Sequence, residues 1–171
     1  MAARCPPGEY KAYLEPFCGS LGVFKHMTDK GYKEYIAADA HPDLIAMWKS
    51  VKAKKLNLPR DMTEKEYQRL KKAKSPNPMK AVAGFGLSFG GKYFAGYAQK
   101  AAGDSGRNFF QEFKRSLAKI APRIQRRNVK FQHSTYSALN PKNMLIYCDP
   151  PYRNTEGYSV GGFDHDKFWD T

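Results

Sequence analysis

The segment Glu15-Pro16-Phe17-Cys18-Gly19-Ser20-Leu21-Gly22, with Asp39 downstream, decides how this chain folds. Tyr13-Leu14-Glu15-Pro16-Phe17 has the composition of a short strand, and Cys18-Gly19-Ser20 is the turn that ends it. The pattern predicts a helix over 21–30 stopped by Gly31, then an apolar strand over 34–38 closed by Asp39. Beyond Pro42, the apolar residues Leu44, Ile45, Met47, Trp48 and Val51 recur at helical spacing. Strand, helix, strand, helix is the pattern of a parallel sheet with crossover helices. Glycine just after a first strand lets a ligand approach the backbone closely. An acid at the end of the second strand can accept hydrogen bonds from ribose hydroxyls. Gly19 and Asp39 are 20 residues apart, the interval of nucleoside-binding βαβ units. The glycines do not form G-x-G-x-x-G, which disfavours a dinucleotide. An ordinary tight turn and a helix-capping Asp39 would fit the same residues.

Working outward, Thr63-Glu64-Lys65-Glu66 is an N-cap with acid in the first turn, opening a basic helix to about Lys74. Ser75-Pro76-Asn77-Pro78 breaks the chain, and the glycine- and aromatic-rich residues 84–97 read as loop. Residues 108–120 form a basic amphipathic helix with Phe109, Phe110, Phe113, Leu117 and Ile120 on its apolar side. Strands follow at 129–133 and 144–148. There is no internal repeat and no long linker.

The last strand runs into Asp149-Pro150-Pro151-Tyr152, at the carboxyl end of the sheet, where open α/β folds place their ligands. Proline fixes its own φ and biases its predecessor to an extended shape, so this turn is stiff. It offers a carboxylate, a backbone carbonyl and an aromatic ring together, a set of acceptors suited to an exocyclic amine on a planar base. A rigid turn alone would explain the prolines but not the acid and the tyrosine with them.

These residues resemble the D12 class of DNA adenine-N6 methyltransferases, especially its short phage and viral members. Glu15 to Ser20 resembles the S-adenosylmethionine loop and Ala38 to Ile45 the ribose-binding segment. Residues 84–97 resemble a loop of the phage branch, and Asp149 to Tyr152 the catalytic tetrad. The resemblance implies an α/β, Rossmann-like S-adenosylmethionine-dependent methyltransferase fold with an open, mostly parallel sheet. It divides the chain into a cofactor-binding half (1–48), a basic DNA-recognition insertion (49–127) and a catalytic segment (128–171). It implies Glu15, Phe17, Gly19, Asp39 and Asp149 as cofactor contacts, Asp149, Pro150 and Tyr152 as catalytic, and Pro151 and Tyr152 as contacts to the base. Asp149 and the Pro150 carbonyl would accept both N6 hydrogens, and the adenine would be flipped from the duplex onto Tyr152. Ser134-Thr135-Tyr136 stands where relatives carry an acid before the aromatic, and His41 where Asn is commoner. Against relatives the chain looks short at both ends, as though lacking its C-terminal strands, which a partner chain or self-association would then supply.

Charge supports a polyanionic partner. Of the 171 residues, 29 are Lys or Arg against 16 Asp or Glu, a net +13. Residues 49–80 carry +8 and residues 107–130 carry +7, so the remainder is net −2. Such blocks release counterions from phosphates and fit a polyanion, which the resemblance implies is double-stranded DNA, although two solvated helix faces would carry the same charges. Lys92, Arg123, Arg126 and Arg127 are the candidate phosphate contacts. No apolar run approaches a membrane span, and the N-terminus has no signal-peptide core. Three cysteines without C-x-x-C spacing argue against a disulfide framework or a cysteine zinc site. The expected location is cytoplasmic, that of the host if phage-encoded.

Rival readings are weaker. Gly86 to Lys92 fits G-x-x-x-x-G-K, but Tyr93 follows where a P-loop needs Ser or Thr, and no convincing strand precedes it. Asp164-His165-Asp166 reads as a helix N-cap rather than a metal site, and the histidines lack ligand spacing. Methylation of cytosine N4 or RNA adenine is a closer rival. The non-enzymatic alternative is an inactive or split fragment serving as a DNA-binding module.

Overall fold

The computed structural model describes residues 8–98, 108–126, 128–152 and 163–170. Four strands form one open sheet in the order β3-β2-β1-β4, all parallel: β1 Ala12–Glu15, β2 Glu34–Asp39, β3 Val129–His133 and β4 Met144–Ile146. This is a Rossmann-like arrangement. Central β1 is buried along its whole length, which is why it reads as a continuous apolar run rather than an alternating one. The chain leaves β1 toward β2 and β3, then returns to its other side as β4. That reversal opens a crevice at the carboxyl ends of β1 and β4.

The helix expected over 21–30 shrinks to α1, Phe24–Met27. The Leu21 N–H donates to the Cys18 carbonyl at 2.8 Å and Leu21 takes φ +61°, so the tight turn uses up the residues that would have started the helix. Helix α2, Pro42–Lys52, forms as its periodicity predicts and buries Leu44, Ile45, Met47, Trp48 and Val51. The Trp48 ring stacks over Phe131 of β3 at 6.3 Å. Helix α3, Glu64–Lys71, opens on the expected Thr63 cap and forms a full capping box with Glu66.

The stretch read as loop from residue 84 begins inside a helix, α4, Pro78–Gly86. Asn77 caps it and Pro78 opens it. Its glycines are there for space. A Cβ on Gly84 would collide with the rings of Tyr93 and Phe94, and one on Gly86 would lie 2.8 Å from the Phe113 ring. Residues 86–92 are thus a helix end and a 3-10 turn, Phe89–Gly91, with no strand before them, which is not the geometry of a P-loop. Helix α5, Phe109–Arg126, runs six residues past the expected end and through Pro122. Ile124 stays in phase with Leu117 and Ile120 on the buried side, which outweighs the lost backbone hydrogen bond. A short α6, His165–Trp169, opens on Asp164, whose side chain accepts from the Lys167 N–H.

Candidate active site

The turn after β1 is fastened from three sides. The Cys18 N–H donates to the Ala38 carbonyl at 2.9 Å, the Gly19 N–H to Oδ2 of Asp39 at 3.1 Å, and the Trp48 indole to the Gly19 carbonyl at 2.9 Å. Gly19 has φ +44°, a backbone region that suits glycine. The other Asp39 oxygen accepts the His41 N–H at 2.9 Å. Burial raises the Asp39 pKa, against the pull of these two amides and of His41 and His133. His41 is buried, caps α2 through Nδ1, and rests against Tyr93 at 4.3 Å. Burial lowers its pKa, in keeping with a neutral ring whose Nδ1 accepts a hydrogen bond.

A cleft of about 500 Å³ lies over this turn, within the range of small-ligand sites. Glu15, Phe17, Gly19, Asp39, Asp149 and Pro151 all line it, so the structure brings these sequence-derived candidates together. The Tyr147 N–H donates to the Leu14 carbonyl at 2.9 Å, carrying the β1–β4 pairing one residue further and setting the tetrad beside the turn. Tyr152 is 67% exposed, and its hydroxyl donates to Oδ1 of Asp149 at 3.1 Å. Pro150 and Tyr152 flank the cleft without lining it.

Glu15 is 2% exposed at the end of β1 and accepts the Tyr13 hydroxyl at 2.6 Å. Burial pushes its carboxyl up to about 7, and the nearby Asp149 charge adds to this while the Tyr13 hydroxyl opposes it. The lining holds four acidic side chains, Glu15, Asp39, Asp149 and Asp164, against one lysine, Lys167. An acid-rich lining of this kind suits a ligand that carries hydrogen-bond donors or positive charge.

Of the far wall, the sequence singled out only Tyr136, in the segment 134–136, and missed Phe163 and Lys167. Tyr136, Phe163 and Lys167 line the cleft, and Phe17 packs on Tyr136, Phe163 and Phe168 at 5.6–5.7 Å. The aromatic residues around Asp164 were the available signal, but their meeting with Phe17 is nonlocal.

The basic candidates are elsewhere. Lys92 is exposed on the loop after α4, next to Tyr93, which touches His41 on the cleft side of the sheet. Arg123 and Arg126 end α5 just before Val129, which pairs with Tyr35 near the start of β2. They therefore stand toward the amino end of the sheet, whereas the cleft lies at the carboxyl ends of β1 and β4. Arg123 donates to the Lys25 carbonyl at 2.6 Å and pairs with Asp29 at 3.1 Å. Arg127 lies outside the described residues. No helix among the described residues is long and apolar enough to cross a membrane.

Residues 3–79 match the family model of the D12 class N6 adenine-specific DNA methyltransferases. The resemblance read from the residues is borne out over that stretch, which contains β1, the pinned turn, β2, Asp39 and α2. At the level of the family, the match supports methylation of DNA at adenine N6. The tetrad and the loop after α4 lie beyond the matched residues. No curated protein matches the chain.

Proposed function

We propose, taking the D12 match as premise, that this chain transfers a methyl group from S-adenosylmethionine to the N6 amine of an adenine flipped out of duplex DNA. The observation that carries the reading is the shared cleft. The pinned turn after β1, Asp39 at the end of β2 and the tetrad acid Asp149 after β4 line one cavity, at the carboxyl ends of three neighbouring parallel strands.

S-adenosylmethionine supplies an electrophilic methyl group on a sulfonium. Asp39 would accept the ribose hydroxyls, since each of its oxygens spends one lone pair on a backbone amide and keeps another. Gly19 gives the amino-acid end close access to the backbone, and Glu15 supplies a carboxyl near its ammonium. Phe17 forms an aromatic wall. Adenine N6 is a weak nucleophile because its lone pair is delocalised into the ring. Asp149 and the Pro150 carbonyl would accept its two hydrogens and localise that pair toward the methyl group, which is positioning and electrostatic stabilisation. Tyr152, exposed beside Asp149, is the stacking platform for the base, with Pro151 beneath it.

The cofactor and catalytic segments, 1–48 and 128–171, would surround the cleft, and 49–127 would be the DNA-recognition insertion. Lys92 would meet phosphates on the cleft side. Arg123 and Arg126, in line with exposed Arg115 and Lys119 at helical spacing along α5, would follow the duplex away from it, with Arg127.

The test is radiolabelled methyl transfer to unmethylated duplex DNA by the intact chain and by Asp149→Ala. Transfer should be lost in the variant while DNA and cofactor binding survive. Binding of DNA without transfer or cofactor affinity in the intact chain would favour a DNA-binding module instead, and transfer by the variant would overturn the role of Asp149.

A further inference from the structure

Asp43, in the first turn of α2, is 1% exposed, yet its carboxylate serves segments far along the chain. Ser75 Oγ donates to Oδ2 at 2.8 Å, the Asn77 N–H to Oδ1 at 2.6 Å, and the Tyr93 hydroxyl to Oδ2 at 2.6 Å. The first two hold the turn before α4, and the third holds the loop after it. None of these bonds caps α2, which His41 already does. A buried carboxylate is tolerated only where donors compensate its desolvation, and these donors all come from the insertion.

The loop carries an exposed tip. Phe89 is 52% exposed, Gly90 and Gly91 have φ of +63° and +69°, and Lys92 is exposed. Its base is closed by the Phe94 N–H on the Gly84 carbonyl at 3.0 Å and the Ala98 N–H on the Leu87 carbonyl at 2.8 Å. Tyr93 ties its inner side to α2, with its ring on His41 and its hydroxyl on Asp43. The His41 N–H is in turn bound to Asp39. One helical turn thus grips both the cofactor strand and the loop.

We propose that Asp43 is a positioning residue for DNA engagement, latching the loop through Tyr93 so that Phe89 and Lys92 stand at a fixed place beside the cleft. This rests on the DNA-methylation reading above. The hydrogen bonds of Asp43 run to Ser75, Asn77 and Tyr93 and none of them to the turn after β1, so the latch should govern DNA affinity and leave cofactor affinity alone.

The test compares Tyr93→Phe and Asp43→Asn with the intact chain. Tyr93→Phe removes a hydroxyl and keeps the ring, so the fold survives. Asp43→Asn keeps an acceptor oxygen for the Asn77 N–H and offers amide N–H groups to the two hydroxyls, which rotate to accept. Anisotropy with unmethylated duplex should show about a tenfold loss in Tyr93→Phe, the scale of one hydrogen bond to a charged group, and a smaller loss in Asp43→Asn. Calorimetry with S-adenosylmethionine should show affinity within about twofold in both, since no hydrogen bond to the turn is removed. The double variant should be little worse than Tyr93→Phe, because both changes act on the same bond. Unchanged DNA affinity in both variants, or cofactor affinity falling in step with it, overturns the latch. An intact chain that binds no duplex overturns the DNA reading and this use of Asp43 together, and that result is seen before any variant is made.

Discussion

The Gly19 amide and the Asp39 carboxylate are joined at 3.1 Å across 20 residues of sequence. Asp39 therefore shapes the turn after β1 as well as lining the cleft. Asp39→Ala should lose the ribose contacts, worth about 1.5–3 kcal/mol for bonds to a charged group, and should also loosen the turn. Asp39→Asn should not restore affinity, because its amide group would present N–H to one of the two backbone N–H donors. Calorimetry with S-adenosylmethionine, alongside thermal melting, checks both statements. Near-normal affinity in Asp39→Ala would remove Asp39 from the cofactor site.

Glu15 makes stability depend on pH. Its carboxyl is raised from an ordinary 4.5 to about 7, chiefly by burial. The folded chain therefore holds a proton that the unfolded chain has released between those values. Stability contributed below pH 4.5 is lost as pH rises through 7. The size is of order 3 kcal/mol, since each tenfold gain in proton affinity corresponds to about 1.4 kcal/mol. Glu15→Gln keeps an acceptor for the Tyr13 hydroxyl and should flatten this dependence. Urea unfolding at pH 5 and pH 8 measures it, and an identical pH dependence in the variant would assign the effect to another group.

Binding to duplex DNA should weaken steeply with salt. Lys92→Ala and Arg126→Ala should each reduce the logarithmic salt slope by about 0.9, the contribution of one phosphate contact. Arg123→Ala should do so too, but with a lower melting temperature, because Arg123 also ties α5 to the Lys25 carbonyl and Asp29. An unchanged slope in all three would leave these residues as solvated surface.

Tyr152→Ala should cost about 1–3 kcal/mol in engagement of the flipped base, the value of one stacked aromatic. Tyr152→Phe keeps the ring and loses only the hydrogen bond to Asp149, so it should retain most transfer activity. Equal losses in the two variants would shift the role of Tyr152 from stacking to orienting Asp149.

Gly86→Ala should destabilise the chain by about 1–3 kcal/mol through overpacking, since the new Cβ would press on the Phe113 ring. Better helix propensity, about 1 kcal/mol, offsets only part of this. Urea denaturation of the variant gives the answer directly.

That last site shows where sequence reasoning ran short. β1, the turn, β2 and α2 were legible because each is written locally, in a buried apolar run, a glycine, a terminal acid or a helical period. α4 was not, because Gly84 and Gly86 look like loop residues until the rings of Tyr93, Phe94 and Phe113 are known to lie against them. α1 was overestimated because the Leu21 turn leaves no periodic trace. In the site, the turn, Asp39 and the tetrad were readable from order and spacing. Asp43 was not, since its partners lie 32 to 50 residues away, and neither was the aromatic wall donated by Phe163.

The indole of Trp48 is buried and bonded to the carbonyl of Gly19, whereas Trp169 is 74% exposed at the end of α6. These are the chain's two tryptophans. A Trp169→Phe variant would leave a single indole, bonded to the turn beneath the cleft, so occupancy of the cleft could be followed by tryptophan emission, without label and without turnover.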